Sequence, residues 1–188
     1  MKKVLFIATM LLATATACNT NTKTEGGDHD HPEHREQVRD TKDAEPEVAA
    51  KMTLGQEQYA ALLDAYVATK DAFVASDATR AAAMAAELKS SAEAAGEVFA
   101  AVAEAAGSIA ASDDIEAQRE AFHTLSKAFY PVAKANAGGM TVYQQYCPMA
   151  FKNAGASWLS TNEEIRNPYF GDAMLTCGNV QETIVAEK

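Results

Sequence analysis

The chain has no uninterrupted apolar run of the about 20 residues that a membrane-crossing helix needs, so nothing in it spans a bilayer. Basic residues are scarce: 16 Lys and Arg stand against 26 Asp and Glu, a formal net charge of -10. The few cations are scattered and not clustered, which argues against nucleic acid as a partner, because neutralising phosphates needs concentrated Lys and Arg. Catalytic signatures are missing too. There is no Gly-rich phosphate loop, no Ser-His-Asp order and no His-Glu-x-x-His zinc helix, and nothing local activates a Cys147/His123 combination. These absences point to a binding or structural protein and not to an enzyme. Cysteine is nearly absent: Cys18, Cys147 and Cys177 are the only three.

What is present begins at residue 1. Lys2 and Lys3 precede a short apolar stretch, Val4 to Leu12, and small residues then lead to Cys18, the layout of a secretory signal over residues 1–17. The cleavage region Ala15-Thr16-Ala17-Cys18 resembles the lipobox of bacterial lipoproteins, with Ala15 where Leu is usual. That likeness implies a mature chain beginning at a lipidated Cys18, attached to a membrane surface through buried CH₂ groups at about 0.8 kcal/mol each. The expected location is the cell envelope, facing the periplasm from the outer membrane. The alternative is an ordinary signal that leaves Cys18 a free thiol, a liability in an oxidising compartment.

Residues 18–51 read as a tether. They are rich in Thr, Asn, Asp, Glu and His and almost devoid of large apolar side chains, so they cannot bury enough surface to offset the entropy of ordering. His29, His31 and His34 lie here among Asp28, Asp30 and Glu33, a loose collector for Cu(II), Zn or Ni if it is more than a solvated linker.

Residues 52–188 form the folded part, and its pattern is helical. Tyr59, Leu62, Leu63, Tyr66, Phe73 and Val74 mark an amphipathic helix over about 53–76, with Thr53 as N-cap. Ala81, Ala85, Leu88, Ala92, Ala95, Phe99, Val102 and Ala106 make a heptad stripe for a second helix over about 78–106, capped by Asp77 and ended by Gly107. A third starts near Asp113 in a capping-box arrangement with Glu116 and carries Ile115, Phe122, Leu125, Phe129 and Val132, with Pro131 expected to kink or end it. The expected fold is all-α: an antiparallel three- to four-helix bundle with an irregular, loop-rich C-terminal segment packed on it and no need of a sheet. Within that segment Ser160 or Thr161, followed by Glu163 and Glu164, looks like the cap of a short helix ended by Asn167-Pro168.

Composition shifts after Gly138-Gly139. Met140, Cys147, Met149, Met174 and Cys177 gather here with Tyr143, Tyr146, Phe151, Trp158, Tyr169 and Phe170. Two units, Cys147-Pro148-Met149 and Met174-Leu175-Thr176-Cys177, each pair a thiol with a thioether. Soft sulfur donors select Cu(I), so Cys147, Met149, Met174 and Cys177 are candidate metal ligands, with His123 as a further one. The competing reading is a Cys147–Cys177 disulfide. Closing a loop of about 30 residues would stabilise the fold by roughly 3 to 4 kcal/mol in the chain-entropy model.

The run Tyr146-Cys147-Pro148-Met149-Ala150, then Gly155 to Ser160, then Ile165 to Gly171, then Met174-Leu175-Thr176-Cys177-Gly178 resembles the domain of unknown function 3347 family. The likeness covers roughly residues 53–180, and Phe122-His123-Thr124-Leu125-Ser126 is similar to the family's helix upstream of that motif. The family occurs in Gram-negative exported proteins, as a stand-alone lipoprotein and as a C-terminal domain on periplasmic adaptors of heavy-metal efflux pumps. The resemblance therefore implies copper or silver handling by association, with efflux components as partners. A Tyr-x-Cys-Pro-Met flavour is also similar to the small heavy-metal-binding domains of copper exporters, although Ala150 stands where those continue with His.

Overall fold

The computed structural model describes residues 50–185, all within one compact unit; the expected signal, Cys18 and the tail histidines lie outside them. Helix α1 (Gln56–Val74) starts at Gly55, not at Thr53, and no side chain caps it. The entering chain is held from across the fold instead: the Asn136 side chain accepts from Leu54 N (2.7 Å) and donates to Met52 O (2.8 Å). Helix α2 (Ala78–Ala95) is capped as expected, Asp77 accepting from Arg80 N at 2.9 Å. Each cap satisfies an N–H that has no partner inside the helix.

The stripe expected to form one long second helix is two helices. Gly96, at φ +113°, breaks it; a turn of 3₁₀ helix (Glu97–Phe99) follows, then α3 (Ala100–Ala110). Heptad spacing survives the break because both halves still bury it: Ala81, Ala85, Leu88 and Ala92 from α2, Phe99 from the turn, and Val102 and Ala106 from α3 are all in the core. Small side chains let α2 and α3 pack closely on each other. Gly107 is not a C-cap. It lies inside α3, where an added Cβ would come within 3.3 Å of the Lys89 side chain.

Helix α4 (Ile115–Ala135) is capped by Asp114, one residue later than expected, through Ala117 N at 2.8 Å. Glu116 does not close a capping box; it pairs with Arg119 at 2.7 Å. Pro131 neither ends nor interrupts α4, which runs four residues further to Ala135. Phe122, Leu125, Phe129 and Val132 are fully buried, with Phe122 and Phe129 stacked on Tyr66 of α1. Successive helices pack on one another, which is the expected bundle.

The expectation of an all-helical fold is corrected after residue 141. Three strands, β1 (Val142–Cys147), β2 (Ala156–Ser160) and β3 (Asn179–Ile184), form an antiparallel sheet in the order β2-β1-β3. Tyr143 pairs with Ser160 and Cys147 with Ala156 on one side of β1; Val142 pairs with Ile184 and Tyr146 with Asn179 on the other, with an irregularity at Gln144/Gln145. Strand β2 packs on α4. The Tyr66 hydroxyl accepts from Leu159 N (3.0 Å) and is bonded to Ser126 Oγ (2.7 Å), tying helix to strand. The helix expected after Ser160 is absent: Ser160 Oγ accepts from Asn162 N and Asn162 Oδ1 from Glu164 N, so the side chains build turns.

Arg119 fastens the C-terminal segment to the bundle. It is 7% exposed and donates to Pro168 O (3.0 Å), Ser76 Oγ (3.1 Å) and Phe73 O (3.5 Å). Arg119→Ala removes the buried donor to Pro168 O and the link between Ser76 and the C-terminal segment, while Phe73 O keeps its bond from Ser76 N; urea unfolding is expected to show a loss of about 2 to 4 kcal/mol, and a change within 0.5 kcal/mol would mean the clamp is dispensable.

Candidate functional site

The sheet explains how two cysteines 30 residues apart meet. Cys147 ends β1 and is fully buried. Cys177 precedes β3, the other neighbour of Tyr146, and is half-buried. Gly178 sits at φ +145° so close to β1 that an added Cβ would lie 2.7 Å from Tyr146 O and 3.0 Å from the Trp158 ring. Only glycine has both that backbone freedom and that lack of bulk. Asn167, fully buried, holds the approach from the other side: Nδ2 donates to Cys177 O (2.8 Å), Oδ1 accepts from Tyr169 N (2.8 Å), and its own N–H donates to Leu175 O (2.7 Å). Asn167 was expected only to stop a helix; its spacing from Cys177 carried no signal of this clamp.

The result is a pair of free thiols with sulfurs 3.0 Å apart. That separation lies between two chemistries. A disulfide needs about 2.05 Å. Two thiolates on one metal, with bonds of about 2.3 Å at a tetrahedral angle, sit roughly 3.8 Å apart. The disulfide and the tetrahedral pair each need a sulfur movement of under about 1 Å; a near-linear two-coordinate ion needs a wider opening of the pair. The hydrogen bond to Cys147 holds the Cys177 thiol above the ordinary range, with partial burial and the proximity of Cys147 adding to it.

The other expected ligands lie on the neighbouring turns and on α4. Met149 follows Cys147-Pro148 and is 46% exposed. Met174 ends the 3₁₀ turn Gly171–Met174, and its carbonyl accepts from Cys177 N at 3.1 Å. His123 packs its ring on Phe151 (centroids 5.2 Å) and edge-on to Tyr169 (6.3 Å). Burial, and then the Lys127 charge, lower its pKa, which favours neutral imidazole. Among the described residues no three His, Cys, Asp or Glu side chains group to hold a metal. His29, His31 and His34 lie outside the described residues.

The β1–β2 connection is unusual. Phe151, Lys152 and Asn153 take φ +51°, +59° and +69°, three consecutive non-glycine residues in the left-handed region. Each is disfavoured by sterics, and the sequence gives no sign of it. The turn lays Phe151 on His123 and delivers Gly155, at φ +80°, under the Tyr146 ring, where any Cβ would overlap the hydroxyl.

Residues 62–141 match the family model described as protein of unknown function, DUF3347. Over that segment, under half of its length, the chain is similar to the DUF3347 family. The match spans most of α1 through α4 and stops just before β1, so Cys147, Met149, Met174 and Cys177 lie beyond it. No curated protein and no solved structure matches the chain.

Since the Cys147 hydrogen bond is the largest cause of the raised Cys177 pKa, Cys147→Ala is expected to bring it down. Alkylation of Cys177 by iodoacetamide near pH 8 should then be faster in the variant, and in the parent chain should keep climbing at higher pH. Thermodynamic sign follows: a folded-state pKa above the unfolded value makes the pair stabilising at lower pH, a contribution lost as pH rises through the folded value. Identical pH–rate curves in parent and variant would show the thiols uncoupled.

Proposed function

We propose that this chain is an exported lipoprotein, anchored through Cys18, that binds a soft metal ion, copper(I) first, for sequestration or transfer in the cell envelope. The observation carrying this reading is the thiol pair Cys147–Cys177 at 3.0 Å, brought together by the close approach of Gly178 to β1 and by the buried Asn167. Thiolate sulfur is the donor that copper(I) prefers, and copper(I) accepts two-coordination, whereas zinc and iron demand more ligands. Met149 and Met174 are the thioethers available to complete the shell, one exposed beside Cys147 and one a turn before Cys177. The tail histidines would collect ions loosely, and heavy-metal efflux components are the partners of this reading.

The burial difference between the thiols gives the site a direction. An incoming ion meets half-buried Cys177 first and buried Cys147 second. Binding displaces the thiol protons, so affinity rises with pH.

The same separation favours a second reading: a disulfide staple in a module that binds another envelope protein, with no metal. Copper(I) titration of the reduced, unlipidated chain against a competing chelator separates them. One stoichiometric site, weakened by at least about tenfold in Cys147→Ser and in Cys177→Ser, is expected for the metal reading. Affinity indifferent to both substitutions overturns it. A freshly isolated chain whose intact mass is two hydrogens short, and which resists mild reductant, favours the staple.

A further inference from the structure

Beside the sheet, and distinct from the thiol pair, α4 and the β1–β2 hairpin flank an open-sided cavity of about 480 Å³, within the usual range of small-molecule sites. One side is a stripe of α4: His123, Lys127 and Tyr130, at the i, i+4, i+7 spacing that puts residues on one face. The other side is the sheet, contributing Gln144, Tyr146 and Ser157. Strand pairing sets Tyr146 opposite Ser157 and Gln144 opposite Leu159, so these four share one sheet face.

Three observations make this a site. No carboxylate lines the cavity, although the chain carries -10 overall, and Lys127 is the one full charge in its wall. The nearest acid on the Tyr130 side, Glu182, is neutralised where it stands by Lys134 (2.5 Å) and the Tyr130 hydroxyl (2.6 Å). Polar groups in the wall are uncommitted: His123 Nδ1 is buried without a partner, and among the described residues no hydrogen bond or ion pair engages the side chains of Lys127, Gln144, Tyr146 or Ser157. Finally, the left-handed turn at 151–153 is spent on this wall, since it is what sets Phe151 on His123 and Gly155 beneath Tyr146. Backbone strain held in place at a cavity rim is a form of preorganisation.

We propose that this cavity binds a small organic carboxylate, its anionic end at Lys127 and its apolar body between Tyr146, Leu159 and Ala156. A single cation with hydroxyl and amide donors, and no opposing acid, selects an anion. The volume and the apolar share of the wall select an organic one over an inorganic oxyanion. The assignment uses neither cysteine and is independent of metal binding.

Sodium benzoate is the probe, titrated into the ¹⁵N-labelled mature chain at constant ionic strength and followed by NMR, with benzamide and inorganic phosphate as parallel arms. Saturable benzoate shifts confined to amides of 123–130 and 154–159 are expected. Lys127→Met should weaken them by about threefold to tenfold, the range for an exposed charge, while Lys89→Met, outside the cavity, leaves them unchanged. Unsaturable shifts, equal binding of benzamide, or an unaffected Lys127→Met overturn the proposal. Phosphate saturating as tightly as benzoate also overturns it, by making the site a general oxyanion site.

Discussion

The C-terminal half of this domain is organised by one close approach, the backbone of Cys177-Gly178 pressed against β1 and the Trp158 ring. A side chain at Gly178 would push the two segments apart. Asn167 makes the approach favourable, giving the Cys177 carbonyl a buried donor where water is excluded. From it follow the β1–β3 pairing, the enclosure of Cys147 and the meeting of the thiols. Tyr169, placed by the same asparagine, donates to Ser157 O (2.6 Å) and packs on Trp158 and Phe122, so the clamp reaches into the helical core.

Helix α4 joins the two halves because it has more than one working face. Phe122, Leu125, Phe129 and Val132 fill the bundle, Arg119 reaches to the C-terminal segment, and the stripe through His123 and Lys127 flanks the cavity opposite the hairpin. The family match covers α4 but not the strands it supports. The helices are thus the recognisable scaffold, and both cysteines of the thiol pair sit on the segment that follows.

Helical periodicity was legible because it reflects burial directly: each apolar position read for α1 and α4 lies in the core or at its edge. The break at Gly96 was not legible, since the alanine stripe keeps its spacing on both sides and both helices bury it. The strands were hidden for a related reason. Val142-Tyr143-Gln144-Gln145-Tyr146-Cys147 places glutamines on both faces, so the two-residue alternation is lost, although its Val and Tyr residues favour strand. Gln145 is buried nonetheless, its Nε2 donating to the carbonyls of Asn162 (2.9 Å) and Glu163 (3.0 Å) while Oε1 has no protein partner, a long-range arrangement no local pattern encodes. The sequence pointed to Cys147, Met149, Met174 and Cys177 together, and of these the two thiols meet; the burial of one and half-exposure of the other depend on Gly178 and Asn167, residues that read as ordinary loop.

The central claim is that the thiols of Cys147 and Cys177 together form the binding centre for a soft metal. X-ray absorption at the copper edge, on the reduced mature chain carrying one equivalent of copper(I), tests it directly. A first shell made of sulfur, lost in the Cys147→Ser, Cys177→Ser double variant, is the result this account requires. A first shell of nitrogen and oxygen alone, unchanged in the double variant, would contradict it.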